Sequence, residues 1–528
     1  MELEREAYQA LEDIVGPEYI SQDPAIMDTY NQVWGNKLVF DEKWSLRPAA
    51  VLLPSTTEEV QAIVRACNRY KIGFKPFSSG FEIVSLALDS EKSITLDLRR
   101  MNRIIEIDVK NMRAVVEPFV SVYRLQMELA KYGLYIGTVS AGPEAGIIAS
   151  SCCHMGTGAT QVFTSGSGRN TLGCEWVLPN GELLTMGSAE AGCGWFSADG
   201  PGFGLRGALR GRSGANGGNG VITKVSAKLY PWYGPPEWEL VGRLPGVKQP
   251  EKVLDGYKVF VFTFPNEDDS FDAMREIGQA QIAYAVLRTL AGRLGESNEE
   301  LWEELKKIPE EEMLKSDPSL QVCIGGNSKR EIEYREKCLF KICERWGGKL
   351  LPEKNTPDLN AWRQLILFWG IGCVKDLFRM CPEALLTPQA DVSQDAIKNI
   401  RKAAIEAQLP YKKRGVMMKV APLCFSIPYE NYSTGTHIEN NFCYDPWDPE
   451  TAAGVREYLE KSLDPNGKFK RFGVPNLGGG LQIERLDHIH ENWGPVYENY
   501  DVWLRKIRQA LDPNGVGEGS AYIPPIFP

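Results

Sequence analysis

Histidine is nearly absent from this 528-residue chain, which has four in all, at 154, 437, 488 and 490. So few imidazoles argue against a His-rich metal site. The twelve cysteines are scattered and never fall as Cys-x-x-Cys or as a ferredoxin-like run. That spacing excludes cluster ligation and a disulfide framework, and reads the thiols as small buried hydrophobes of a protein in a reducing cytoplasm. Long apolar runs are missing too. The longest, Leu365 to Val374, is about half of the ~20 residues that span a bilayer, so any membrane association would have to come through another subunit. The N-terminal MELEREAYQALEDIV is acidic and helical in pattern, with no basic segment ahead of an apolar one, so no secretory signal is expected. Positive charge is short: 59 Lys and Arg stand against 69 Asp and Glu, which sets aside nucleic acid or an anionic membrane as the main partner.

Glycine, by contrast, is concentrated. Seven glycines lie between Ser140 and Gly173 in SAGPEAGIIASSCCHMGTGATQVFTSGSGRNTLG. Small residues such as Ser140, Gly142, Gly146, Ser150, Ser151 and Gly156 let main-chain N–H groups approach a ligand closely. A diphosphate or a fused ring system would sit on such a cradle, and a surface loop that binds nothing has the same composition. Two further stretches add to it. The strand pattern GFKPF ends in Pro76 and Phe77 and runs straight into Ser78-Ser79-Gly80-Phe81, a turn suited to donating main-chain N–H groups to phosphate. The run GRSGANGGNG ends at Gly220 and feeds Val221-Ile222-Thr223, where a flat backbone can lie against a ligand.

Between these stretches the pattern alternates short strands with single helices. RPAAVLLP (47–54) reads as a buried strand, and Ser55 with Glu58 as a capping box for a helix through Tyr70 whose apolar face is Val60, Ile63, Val64 and Cys67. Strands are expected at 93–98, 104–108 and RAVVEP, a helix from Ser121 to Tyr132, and a hairpin turning at Asn180-Gly181. The texture changes near Trp232. VFVFTFP and a long helical pattern from Asp269 to Ile308 open a second region, and a last helix runs from near Tyr497 to Leu511. The fold class is α+β. The expected division is 1–238, 239–480, and a C-terminal segment 481–528.

PAAVLLPSTTEEVQAIVRACNRYKIGFKP, the glycine-rich cradle with VLPNGE, NGGNGVITKVSAKLYP, and WGPVYENYDVWLRKIRQALDPNG together resemble the vanillyl-alcohol oxidase / p-cresol methylhydroxylase family of FAD-linked oxidoreductases along nearly the whole chain. The resemblance implies an FAD held by two small α+β subdomains, an α+β substrate (cap) domain roofing the flavin ring, and a C-terminal segment returning to the FAD domain. It is not a doubly wound fold with a Gly-x-Gly-x-x-Gly turn. Carried over by position, Pro76, Phe77, Ser78, Ser79, Gly80 and Phe81 line the diphosphate. Ser140, Gly142, Gly146, Ser150, Ser151 and Gly156 lie beside diphosphate and flavin, and Gly220 and Ile222 on the adenosine side.

Many relatives tether the flavin covalently. Where one branch carries a histidine after the paired small residues, this chain has Phe81; Tyr411 in PYKKRGVMMKVAPL stands where another branch has its flavin-linked tyrosine, so a tyrosyl-FAD bond is a hypothesis. His437 in THIENNFCYDPWDPE is the first candidate for catalytic base or substrate anchor, with a histidine merely hydrogen-bonded in a sheet as the alternative. His488 and His490 come next, with an ordinary surface loop as their alternative. Phenol-oxidising relatives use a Tyr-Arg pair, but Pro475 and Asn476 stand where the arginine is expected, with Arg471 or Lys468 as substitutes; this departure counts against a simple phenol. Cys152-Cys153-His154 reads as packing, because adjacent side chains point apart.

The expected function is a cytoplasmic FAD-dependent dehydrogenase that takes a hydride from a 4-alkylphenol, aromatic alcohol or similar small organic substrate. The alternatives are a 2-hydroxy-acid dehydrogenase flavoprotein subunit, a redox-neutral ether-lipid transferase, and an FAD-binding electron-transfer subunit without a substrate. With no haem or cluster motif in the chain, an external acceptor is expected: oxygen, a cytochrome or an iron–sulfur subunit. The protein is expected to be a homo- or hetero-oligomer.

Overall fold

The computed structural model describes residues 2–31, 46–80, 88, 90–137, 144–153, 156–189, 192–195, 197, 219–240, 252–288, 318–369, 384–393, 395–418, 423–428, 435–445, 448–464, 466–467 and 493–518.

The first sheet has the order β1-β2-β4-β3, from β1 (Ile20–Ser21), β2 (Val51–Leu52), β3 (Phe74–Phe77) and β4 (Ile94–Asp97). β2 and β3 both run parallel to β4, so the chain must cross over between β2 and β3, and the helix Thr57–Tyr70 does this. Its Val60, Ile63, Val64 and Cys67 are fully buried, as a 3.6-residue stripe facing one sheet requires. The cap lies one residue later than expected. Thr56 accepts from the Glu59 N–H, and the Glu59 carboxylate reaches back to the Ser55 N–H (2.7 Å) and hydroxyl (3.0 Å). Glu58 has no part in it.

The second sheet, β5-β6-β10-β8-β9, is antiparallel throughout. It is built from β5 (Ile104–Asp108), β6 (Arg113–Val116), β8 (Thr171–Val177), β9 (Leu183–Thr185) and β10 (Val221–Lys228), while β7 (Leu134–Tyr135) pairs with β11 (Tyr230–Pro231). Gly181 turns the β8–β9 hairpin with a φ of +82°. The helix between β6 and β7, Val122–Ala130, is capped by Ser121.

Glu175 on β8 fastens the two subdomains. Its carboxylate accepts from Thr57 Oγ1 at 2.6 Å, Thr223 Oγ1 at 2.8 Å and Lys224 Nζ at 2.8 Å. Burial alone would push this carboxyl up, but the bonds from Lys224, Thr57 and Thr223 outweigh burial and hold it below its ordinary value. A carboxyl depressed in the folded state contributes stability that is complete above its unfolded pKa, about 4.3, and is lost as pH falls through the lower folded value. Glu175→Gln is therefore expected to flatten the acid limb of the stability-versus-pH curve, measured by denaturant midpoints from pH 7 downward. An unchanged acid limb would contradict this role.

The C-terminal residues pack against the first sheet. Phe74 N donates to Val516 O and Phe74 O accepts from Glu518 N, at 2.9 and 3.0 Å. The Glu518 carboxylate accepts from the Ser93 hydroxyl, and Val516 lies in the same core as Val60, Ile63 and Leu96.

In the second region, β12 (Tyr257–Thr263), β13 (Ala285–Leu287), β14 (Ser319–Gly325) and β15 (Lys349–Leu350) form an antiparallel sheet of order β13-β14-β12-β15. The helices Glu267–Ala280 and Lys329–Arg345 pack on it. The long helix expected from Asp269 ends at Ala280, where Gln281 turns left-handed (φ 53°) and β13 follows. Residues 289–308 of that expected helix lie outside the described residues. A three-stranded antiparallel sheet of β16 (Ala384–Val392), β17 (Leu423–Pro428) and β18 (Thr436–Cys443) has the order β16-β18-β17. The helices Ala396–Lys413 and Pro449–Leu463 cover one of its faces.

Both regions share one hydrophobic core. Tyr135 and Trp232 from the first side pack with Tyr257, Tyr284 and Phe368 from the second.

Candidate functional site

β3 positions the first part of the site. Its last residues, Pro76 and Phe77, are half-buried, and the Phe77 ring meets Tyr30 edge-on at 5.8 Å. The chain then leaves the sheet through Ser78 and Ser79 to Gly80, whose φ is +70° and where a Cβ would press on the Phe77 ring at 2.8 Å. Only glycine fits that turn.

The glycine-rich stretch comes to this turn directly. Gly146 N donates to Ser79 Oγ at 3.0 Å, and a Cβ on Gly146 would stand 3.1 Å from Pro118 O and 3.5 and 3.6 Å from the hydroxyls of Ser78 and Ser79. Residues separated by nearly seventy positions thus form one small-residue wall. Beyond Gly146 the chain makes a π-helical turn, Ala149–Cys153, a form frequent at functional sites. Ser150 and Ser151 are buried within it. Ser150 O accepts from Ser167 Oγ (2.5 Å) and from Gly156 N (3.1 Å), and Gly156 N also donates to Ser167 Oγ (2.7 Å). The Ser150 hydroxyl itself has no partner among the described residues, although a buried polar group normally does. Cys152 is core, as expected.

The third stretch behaves differently. Gly220 has a φ of +96°, and a Cβ there would lie 2.2 Å from Val177 O, so the close approach of β8 already accounts for this glycine. Ile222 is buried beside Trp176 and Val225 in the core. Among the expected cradle residues, Phe81, Ser140 and Gly142 lie outside the described residues. So do His154, Lys468, Arg471, Pro475, Asn476, His488 and His490.

The second region meets the cradle through β13 and β17. Val286 N donates to Ala159 O at 2.9 Å, Phe163 stacks on Tyr284 at 4.9 Å, and β17 packs on the short helix Gln161–Thr164. β17 is hydrogen-bonded to β18, where His437 sits opposite Ile427. His437 is fully buried, and its Nε2 lies 2.9 Å from Glu439 Oε1. Residues two apart share a strand face, so His437 and Glu439 form a pair on one side of the sheet. Ile438 and Phe442, on the other side, pack with the helices. That side is locked in register: Arg401 donates to Asn440 Oδ1 (3.0 Å) and Gln408 to Asn440 O (2.9 Å).

Glu439 is the functional candidate that sequence reasoning missed. The signal that marks it is the period-two pattern of THIENNFC, which puts a carboxylate on the histidine's own face.

Tyr411 is not brought to this pair. It lies near the end of the helix Ala396–Lys413, buried with Phe442, Tyr444 and Tyr458 on the helix-covered side of the sheet. Its hydroxyl is 3.3 Å from Glu457 Oε1, a carboxylate that Lys461 and Arg414 hold down at about 2. His437 and Tyr411 therefore face opposite sides of one sheet and do not converge.

No cluster of three or more His, Cys, Asp or Glu suited to a metal occurs among the described residues. No described helix is long and apolar enough to cross a membrane.

Residues 48–187 match the family model of the FAD binding domain. The chain is 28% identical over 182 residues to the mitochondrial cytochrome-type D-lactate dehydrogenase of Arabidopsis thaliana, covering 34% of this chain and 30% of that one. It is 29% identical over 185 residues to a glycolate oxidase subunit of Escherichia coli (strain K12), covering 35% of each. The matches thus span about a third of these relatives' own length. Among solved structures, p-cresol methylhydroxylase with substrate bound superposes with a TM-score of 0.74 at 18% identity, covering 98% of this chain and 96% of that one. The cradle suits a dinucleotide: Gly146 lies against Pro118 O and the hydroxyls of Ser78 and Ser79, which gives a wall of small polar residues, and the orphaned Ser150 hydroxyl follows one turn on, where Ser150 N donates to Gly146 O.

Proposed function

We propose that this chain, which carries the FAD-binding domain and the fold of the p-cresol methylhydroxylase family of FAD-linked oxidoreductases, is an FAD-dependent dehydrogenase of small organic substrates bearing a hydroxyl group. The observation that carries the proposal is the pairing of the buried His437 with Glu439, on a sheet whose neighbouring strand packs against the glycine-rich stretch. FAD, when bound, supplies the acceptor for a hydride. The hydroxyls of Ser78 and Ser79, held against Gly146, would bind its diphosphate. The His437 imidazole takes the substrate's hydroxyl proton as its C–H hydride leaves, and the Glu439 carboxylate at Nε2 stabilises the resulting imidazolium. Burial of His437 keeps water from competing for that proton.

Two substrate classes follow. The whole-chain likeness to p-cresol methylhydroxylase favours a 4-alkylphenol or aromatic alcohol. The likeness of the FAD-binding part to D-lactate dehydrogenase and a glycolate oxidase subunit favours a 2-hydroxy acid. Anoxic titration with each class separates them: the true class bleaches the flavin absorbance, and if neither does, the dehydrogenase reading fails in favour of an electron-transfer subunit. Electrons then pass to an external acceptor, a cytochrome or iron–sulfur subunit in the reading we favour.

With Tyr411 bonded to Glu457 on the far side of the sheet, the flavin is held without a covalent bond to it. Acid precipitation is expected to release the flavin into the supernatant, equally from wild type and Tyr411→Phe. Flavin retained in the pellet by wild type and lost in the variant would overturn this.

A further inference from the structure

We propose that Ser165 and Asn170, with Ser150, form a neutral polar pocket that hydrogen-bonds the pyrimidine edge of the flavin ring. The inference rests on the FAD-binding reading above and extends it to residues that the glycine pattern does not single out.

Ser165 follows the short helix Gln161–Thr164, and its backbone has φ 62° and ψ 174°. That region is open almost only to glycine, and a residue held there stores strain that clusters at functional sites. A glycine at this position would relieve the strain, yet the chain keeps a hydroxyl. The residue is 1% exposed, its N–H is spent on Gln161 O at 2.8 Å, and its Oγ has no partner among the described residues. Strain and an unmet buried hydroxyl at one residue point to something outside the chain that the hydroxyl serves.

Asn170 repeats the pattern. It is buried, and its Oδ1 lies 2.6 Å from the Tyr230 hydroxyl, which is also 2.8 Å from Thr164 O. Its Nδ2 has no partner among the described residues. Turning the amide over exchanges the two atoms and leaves the other one unmet. Tyr230 thus ties Asn170 to Thr164, the neighbour of Ser165, and Ser167 ties the same segment to Ser150 through its 2.5 Å bond to Ser150 O. Three unmet polar groups, Ser150 Oγ, Ser165 Oγ and one amide atom of Asn170, therefore belong to one stitched segment.

Their chemistry selects the part of the ligand. All three are neutral, and each hydroxyl both donates and accepts. A diphosphate is better served by the small-residue wall of Ser78, Ser79 and Gly146. Alternating carbonyl oxygens and an N–H, as on the pyrimidine edge of a flavin, match hydroxyls and an amide.

The test uses the full chain stripped of flavin, as wild type, Ser165→Gly, Ser165→Ala and Asn170→Ala. It follows FAD binding by fluorescence quenching, the absorption spectrum and midpoint potential of the bound flavin, and the thermal midpoint of the apo form. Ser165→Gly is expected to raise the apo thermal midpoint by relieving strain, and yet to weaken FAD roughly 5–20-fold and shift the flavin bands. Ser165→Ala and Asn170→Ala weaken FAD similarly, and loss of donors to the ring carbonyls lowers the midpoint potential. A merely structural Ser165 would let the glycine variant bind FAD at least as well as wild type. Wild-type affinity and an unshifted spectrum in the Ser165 variants would overturn the inference alone. A wild-type chain that takes up no FAD would overturn it together with the reading it rests on.

Discussion

Replacing His437 with asparagine is expected to slow reduction of the bound flavin by its substrate about 10²–10⁴-fold, with FAD affinity unchanged. The histidine has no exposed surface, and its Nε2 lies 2.9 Å from a carboxylate on the same strand face. An imidazole so placed can take a proton and have the new charge stabilised at once. Asparagine preserves a hydrogen bond to Glu439 and so limits the structural damage, but cannot accept a proton. Glu439→Gln keeps the hydrogen bond without the negative charge, and a smaller loss, roughly tenfold or more, is expected because the imidazolium formed during proton transfer no longer has a carboxylate to stabilise it. Anoxic stopped-flow reduction reads both variants. A His437→Asn enzyme within twofold of wild type would reduce the histidine to a sheet residue satisfied by its neighbour.

Trp232→Ala is expected to cost about 3–5 kcal/mol and to lower the stability of both regions in a single transition. Trp232 is 5% exposed and packs within 6.0 Å, centroid to centroid, of Tyr135, Trp238, Tyr257 and Phe368. Those rings come from both sides of the expected domain boundary near residue 238. A linker-joined pair of domains would lose one region and keep the other, whereas a shared core couples them. Denaturant unfolding followed by tryptophan fluorescence and far-ultraviolet circular dichroism distinguishes the two. Coincident transitions shifted together are the expected result, and two separated transitions would contradict it.

The parts of the fold legible in the sequence are those governed by local periodicity. The helix Thr57–Tyr70, the strands Phe74–Phe77 and Ile104–Asp108, and the turn at Gly181 all follow from spacing and turn chemistry within a dozen residues. The long helix expected from Asp269 was not legible, because Gln281 ends it by adopting a left-handed backbone that no glycine announces. The cap at Thr56 illustrates a finer limit, since Ser55 and Thr56 are chemically alike and only the backbone decides between them.

The site was legible in outline. Gly146 and Ser79 could be grouped by composition, but that the N–H of one binds the hydroxyl of the other is a tertiary fact. Composition places Gly220 with the ligand-facing glycines, while the structure accounts for it by the carbonyl of Val177. Small residues that make room for a ligand and small residues that make room for the chain look identical in sequence. Tyr411 stands out in sequence by its place in a motif, and only the pairing of β18 and the packing on it reveal that Tyr411 and His437 lie on opposite faces. Ser165 carries no compositional mark at all, since its signal is a backbone angle.

The account stands on FAD occupying the wall formed by Ser78, Ser79 and Gly146. The most direct measurement is to incubate the purified full chain with FAD, remove unbound flavin by gel filtration, and record the visible spectrum against protein concentration. A yellow protein with stoichiometric flavin is the predicted result, and a folded chain that leaves the column colourless would contradict it.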